Sequence, residues 1–205
     1  MRWINGYSFP LSRWSKSHKP PVFAPALPRA HGHLGLTFLD LVQLRLVQGF
    51  RGAGVPLQKI RTAGVTAADV FRTSHPFASE RFKTDGRDIF AEVVVDATDV
   101  GLLNLSAAGQ RTFPEHVERS LRELTFATET RLARRWHAAG VGGGIIVDPG
   151  IAFGRPVVEG TGVPTSVIWE QSHTESEASL AQWFRLEEKQ IRDALRYEET
   201  LLAAA

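Results

Sequence analysis

Hydrophobic positions along the chain change period several times, and each change marks a different kind of element. Between Thr37 and Gly54, Leu39, Val42, Leu46 and Phe50 recur at helical spacing, widened by Phe38, Leu41 and Val47 into the stripe of an amphipathic helix. Thr37 supplies an N-cap oxygen, and Asp40, three residues on, is a short version of the capping-box acid. Gly54 ends this helix. Pro56 suits the first turn of the next, which has Leu57 and Ile60 as its apolar side, and Thr66 with Asp69 opens another toward Phe71. The period then shortens. Arg81-Phe82-Lys83 and the run Ile89 to Glu92 flank Asp85-Gly86, a two-residue hairpin signal. GLLNLS reads as a short strand, and from Pro114 the chain reads helical through Val117, Leu121 and Leu124. Glu129 to Trp136 fits helix or strand, and GVGGGIIVDPG is a glycine loop, a short strand and a turn.

After Gly150 the segment IAFGRPVVEGTGVPT is turns and short extended pieces. Three helical stretches follow: Thr165 to Gln171, Glu177 to Trp183 and Glu187 to Tyr197, the last with Ile191, Ala194 and Leu195 on one side. Short turns between them fit a helix-turn-helix arrangement. At the other end, five prolines and three histidines between residues 8 and 36 exclude helix but leave room for a short strand at Pro21-Val22-Phe23. Trp3 and Ile4 read as the last turn of a buried helix, Asn5-Gly6 as its stop, and Tyr7 to Trp14 as an aromatic, basic tail. The expected fold class is mainly α with small β elements.

At 205 residues and 43% hydrophobic, the chain is able to bury a core in one or two domains. No run of about 18 apolar residues is present, so no membrane span is expected, and Met1 to Trp14 lacks the apolar stretch of a secretion signal. Zero cysteines remove disulfides, thiolate nucleophiles and cysteine metal sites, which suits a cytoplasmic location. Net charge is only +2 but unevenly spread: Met1 to Phe90 holds 13 Lys/Arg against 5 Asp/Glu, and Ala91 to Ala205 holds 11 against 17. The split fits a first part able to face a polyanion and a second not obviously so, with ordinary surface variation as the alternative reading.

Enzyme chemistry is poorly represented. GVGGG lacks the Gly-Lys-Ser/Thr ending of a phosphate loop and precedes a strand instead of following one. His31 and His33 have no third ligand nominated by spacing, and Asp85 and Asp88 are better used as turn acceptors than as an acid/base pair. No cofactor and no metal is expected. Arg2, Arg13, Lys16 and Lys19 crowd the N-terminal tail among Trp3, Tyr7 and Trp14, as phosphate contact requires, with Asn5 either capping the helix end or approaching a base edge. Lys189, Arg192 and Arg196 form a basic stripe along the last helix, able to lie on DNA or to be an ordinary solvated face among Glu187, Glu188, Asp193, Glu198 and Glu199.

Two resemblances follow from these residues. Asp148, Pro149, Gly154, Pro156, Val158, Gly160, Thr161 and Pro164, followed by three helices, resemble the small domain of unknown function DUF433. The chain departs from that pattern at His173-Thr174-Glu175-Ser176, and at Gln182-Trp183-Phe184-Arg185, where the family usually ends a turn on Gly. RWINGY, LTFLDLVQLRLVQGFRGAGVPLQKIR and HPFASERFKTDGRDIF resemble the long VapB-type antitoxins that carry DUF433 at the C-terminus behind a MerR-like winged helix-turn-helix. In that family Arg2-Trp3 closes the recognition helix, so the resemblance implies a winged unit that is incomplete at its N-terminus. It implies residues 1–75 as a winged-helix remnant, 76–145 as an α/β linker region and 146–205 as the DUF433 domain. It further implies a non-enzymatic antitoxin that neutralises a PIN-domain ribonuclease toxin and represses its operator DNA, any Mg²⁺ belonging to the toxin. A homodimer is expected because paired helix-turn-helix units read two-fold DNA and the apolar Leu39–Phe50 helix offers a second face to bury. Arg185 and Arg196 are nominated for the carboxylates of that partner, since a guanidinium offers paired donors to an acid.

Overall fold

The computed structural model describes residues 7–12, 15–28, 33–84, 104–105 and 111–204. They form two compact units: Met1–Leu121 with Thr128–Leu132, and Arg122–Ala127 with Ala133–Ala205.

The first unit begins with an antiparallel pair, β1 (Tyr7–Ser12) and β2 (Ser15–Lys19), in the register Tyr7↔Lys19 and Phe9↔Ser17. A tail was expected there. Alternating Tyr7, Phe9 and Leu11 favour the extended state instead, and the register shifts after Pro10, which has no N–H to give to the ladder. Pro21-Val22-Phe23 forms no strand, yet Val22 and Phe23 are buried. The Trp3-Ile4 helical turn and the Asp85-Gly86 hairpin lie outside the described residues.

Helix α1 (Phe38–Gly52) starts as its caps predict. Thr37 Oγ1 accepts the Asp40 N–H at 3.2 Å, and Asp40 Oδ2 accepts the Thr37 N–H at 3.0 Å, with a further bond from Ala26 N at 3.2 Å. Because Asp40 turns inward to make these bonds, the buried face runs through Asp40, Gln43, Val47 and Phe50 beside Val42 and Leu46, and Leu41 is left exposed. Helix α2 (Leu57–Phe71) is one element, where two had been expected at Pro56 and Thr66. Between Ile60 and Thr66 only Gly64 weakens the helix, and a single glycine, at about 1 kcal/mol, does not break one that is packed along its length. Gly64 also has a packing reason: a Cβ there would lie 3.0 Å from Phe77 Cζ.

A short 3₁₀ turn, Pro76–Ala78, leads into α3 (Glu80–Thr84). The strand expected at Arg81-Phe82-Lys83 is therefore helical. Ser79 Oγ accepts the Arg81 N–H at 3.2 Å, and Phe82 is drawn into an aromatic cluster. Its ring meets Phe77 edge-on at 5.0 Å and stacks on Phe113 at 5.6 Å, while Phe50 meets Phe82 at 6.1 Å and Phe113 at 5.4 Å. These four rings centre a core that also holds Leu46, Ile60, Val117 and Leu121. Strands β3 (Asn104–Leu105) and β4 (Arg111–Thr112) pair antiparallel, and α4 (Glu115–Arg122) follows Pro114.

The second unit opens with a four-stranded antiparallel sheet in chain order: β5 (Leu124–Phe126), β6 (Ala133–His137), β7 (Ile145–Val147) and β8 (Val157–Val158). Leu124, expected on a helix, is on β5, and the ambiguous stretch ending at Trp136 resolves to β6. Three helices follow, α5 (Thr165–Gln171) and α6 (Glu177–Phe184) close to the expected bounds, and α7 (Glu188–Ala203), which runs six residues past the expected end at Tyr197. Ser176 caps α6 through Ser179 N at 3.2 Å, and Gln190 accepts the Glu187 N–H at 2.9 Å to open α7. Ile145, Val158, Ile168, Leu180, Ile191 and Ala194 make the core. Thr165 ties the start of α5 to α7 by donating its hydroxyl to Glu198. The architecture is helix-rich with a small sheet.

Candidate partner-binding surface

The most constrained surface feature of the second unit is the connection from β7 to β8, and Asp148 holds it. This carboxylate follows β7 and is almost fully buried. Its Oδ1 accepts the Gly150 N–H at 2.9 Å, which closes an Asx turn over Pro149. Its Oδ2 accepts two donors of Arg135 on β6, Nε and Nη2, each at 3.4 Å, and lies 3.9 Å from Arg134 Nε. Arg135 also reaches Glu159, just past β8, at 3.9 Å. The two ends of the loop are thus tied to one guanidinium.

Backbone bonds set the loop itself: Ile151 N to Asp148 O at 2.9 Å, Gly154 N to Ile151 O at 3.0 Å and Arg155 N to Ala152 O at 3.2 Å. Three consecutive residues take left-handed dihedrals, Ala152 (φ 47°), Phe153 (φ 58°) and Gly154 (φ 76°). Gly154 does so freely, whereas Ala152 and Phe153 each sit where a Cβ costs on the order of 1 kcal/mol. The Phe153 side chain lies outside the core of the unit, and the residue is 98% exposed. Arg155 and Arg134 are exposed beside the same loop. Sequence reasoning passed over Phe153. A single aromatic residue within a turn-rich, glycine-flanked segment was the available signal.

The nominated cations fall as follows. Arg2, Asn5 and Arg13 lie outside the described residues. Lys16 and Lys19 are on β2, opposite Pro10 and Tyr7. Lys189, Arg192 and Arg196 share α7, and each has an acid close by. Lys189 is 2.6 Å from Asp193, Arg192 is 3.4 Å from both Glu177 and Glu188, and Arg196 is 4.0 Å from Asp193. The stripe exists, but its charge is locally balanced. Arg185 is exposed at the C-cap of α6 with φ 55°, the left-handed position that glycine usually fills, and Leu186 N closes the turn onto Ala181 O at 2.9 Å. Among the described residues no ion pair engages the Arg185 guanidinium.

In the first unit, Arg45, Gln48, Gly49, Gly52, His116, Arg119 and Ser120 line an open cleft of about 360 Å³ between α1 and α4. Among the described residues no group of three or more His, Cys, Asp or Glu is placed to hold a metal, and no helix is long and apolar enough to cross a membrane. What the second unit does offer is an exposed aromatic ring on a hydrogen-bonded loop, with Arg134 beside Asp148 where the loop starts and Arg155 where it ends. Such a surface suits association better than bond-making.

Comparison with known proteins gives three findings. Residues 145–197 match the family described as Protein of unknown function (DUF433), a segment that begins at β7 and runs into α7. The chain is 29% identical over 206 residues to a Mycobacterium tuberculosis protein named "Putative antitoxin VapB45", covering 94% of this chain and 84% of that one. It also superposes on the crystal structure of Rv2018 from Mycobacterium tuberculosis with a TM-score of 0.70 at 28% identity, covering 85% of each chain.

Proposed function

We propose that this DUF433-bearing chain is the antitoxin of a toxin–antitoxin pair and acts by binding and neutralising a PIN-domain ribonuclease. The observation that carries this reading is similarity to an antitoxin along nearly the whole chain, not only within the DUF433 segment. The rigid surface of the second unit supports it, since an inhibitor that works by occlusion needs a preorganised face, not a reactive group. In this reading residues 1–75, within the first unit, are a winged-helix remnant that reaches operator DNA through Arg2, Asn5, Arg13, Lys16 and Lys19, the protein is a homodimer, and any catalytic metal belongs to the toxin.

One set of observations favours a second reading, a protein-binding regulator that does not touch DNA. The α7 cations are each matched by an acid, and the second unit holds eight Lys/Arg against eleven Asp/Glu, a net charge of −3. Such a unit repels a phosphate backbone at long range. Two measurements separate the readings. Co-expression with the product of the neighbouring gene, which this reading requires to be a PIN-domain ribonuclease, should yield a stable complex with suppressed RNA cleavage, and free, active nuclease would refute the antitoxin role. A promoter fragment titrated at low and high salt should be retarded in a salt-dependent way if the autorepressor reading holds, and no shift at low salt leaves the protein-binding reading alone.

A further inference from the structure

Resting on the antitoxin reading, we propose that Phe153, on the loop that starts beside Arg134 and ends at Arg155, is the anchor by which this chain docks an acidic surface of its companion ribonuclease. The ring enters an aromatic-sized pocket bordered by carboxylates.

Three features of the loop point to an anchor. A phenylalanine that is 98% exposed contributes nothing to the core of its own unit. It is held at φ 58°, ψ 32°, a backbone state that a bulky side chain rarely adopts and glycine adopts freely. The loop beneath it is rigid, because Asp148 binds Gly150 N and Arg135 while three backbone bonds close the turn. On a backbone fixed in this way an aromatic side chain has only two torsions to lose on binding, which is one reason such residues dominate interface energetics.

The charges choose the occupant. Arg134 is 68% exposed on β6, and Arg155, exposed two residues after Phe153, spends its Nε only on Ala152 O at 3.4 Å. Arg134 Nε lies 3.9 Å from the buried Asp148, while Arg155 meets no acid among the described residues, so the rim keeps an excess of positive charge that complements carboxylates on a protein surface. A second copy of this chain fits poorly, because a two-fold contact through Phe153 would bring the like-charged rims together. A nucleic acid fits less well, since a phosphate backbone runs on past the loop and meets a unit of net charge −3, whereas a carboxylate patch on a protein need face only the rim.

The test uses the full chain and the purified companion nuclease, with Phe153→Ala, Phe153→Gly and Arg155→Glu read by calorimetric titration and by thermal melting. Each Phe153 variant should weaken the complex by about thirty-fold or more. Arg155→Glu should slow association, with the loss greatest at low salt. Phe153→Gly should melt at or above the wild-type temperature, so affinity falls while the fold is retained, a combination that a merely structural residue does not give. Wild-type binding that all three variants preserve overturns the anchor and leaves the antitoxin reading standing. Absence of wild-type binding overturns both. Phe153-dependent self-association, or Phe153-dependent retention of single-stranded RNA or DNA, also overturns the proposal by identifying a different occupant.

Discussion

Replacing Asp148 by Asn changes one atom, and the structure gives its effect at each contact. Oδ1 continues to accept the Gly150 N–H, now at 2.9 Å, so the Asx turn survives. At the other position an amide N–H₂ confronts Arg135 Nε and Nη2, which now donate to Oδ2 at 3.4 Å each. Two charge-assisted bonds are lost and donors face donors at a site almost closed to water. Short, buried bonds of this kind contribute about 1.5–3 kcal/mol each, but these are long and Arg135 keeps partial solvent access, so about 1 kcal/mol each is appropriate. Asp148→Asn should therefore cost about 2 kcal/mol in the unfolding of the second unit. Asp148→Ala should cost about 3 kcal/mol, because it also strands the Gly150 N–H. Urea denaturation followed by tryptophan fluorescence is the assay, and Trp136, Trp169 and Trp183 all belong to this unit. A cycle with Arg135→Gln isolates the pair, with an expected coupling of about 1–2 kcal/mol. Asn and Ala variants within about 0.5 kcal/mol of wild type, or a vanishing coupling, would refute the account of how the loop is held.

Other perturbations have defined outcomes. Gly64→Ala gains helix propensity but drives a methyl to 3.0 Å from the buried Phe77 ring, so urea titration should show a net loss of about 1–2 kcal/mol. Gly52→Ala, at the end of α1 with nothing within 4 Å of the added methyl, should be neutral or stabilising by about 0.5 kcal/mol in the same titration. Ile191→Ala empties a fully buried position in the three-helix core and should cost about 3 kcal/mol, read as a lowered melting temperature. Phe153→Gly relieves a left-handed phenylalanine and, after the added chain entropy of glycine, should leave the second unit unchanged or more stable by up to about 1 kcal/mol in denaturant titration.

The parts of the fold that could be read in advance are those where local signals agree. Thr37 and Asp40 are three residues apart and cap α1 in both directions, and the Ile191, Ala194 and Leu195 periodicity marks the packed side of α7. Where one signal pointed away from the packing, the packing won. Asp85-Gly86 drew Phe82 toward a strand, whereas the ring is needed among Phe50, Phe77 and Phe113 and its backbone is helical. Asp40 and Gln43 are buried and Leu41 is exposed because cap geometry, not hydrophobicity, rotates the first turn of α1. The cationic stripe on α7 was visible as a list of residues. Its pairing with Glu177 was not, since that acid comes from α6 and the contact is made only by folding. Phe153 was hidden for a similar reason: a residue letter carries neither φ nor exposure, and its meaning depends on both.

The central claim is that the chain acts through a preformed surface that occludes a protein partner. The most direct test is a titration of the purified companion ribonuclease with this chain, with cleavage of a fluorogenic RNA measured at each ratio. The account predicts a linear fall in activity to near zero at a fixed molar ratio, with a matching heat of complex formation. Undiminished cleavage at a several-fold excess of folded chain would contradict it.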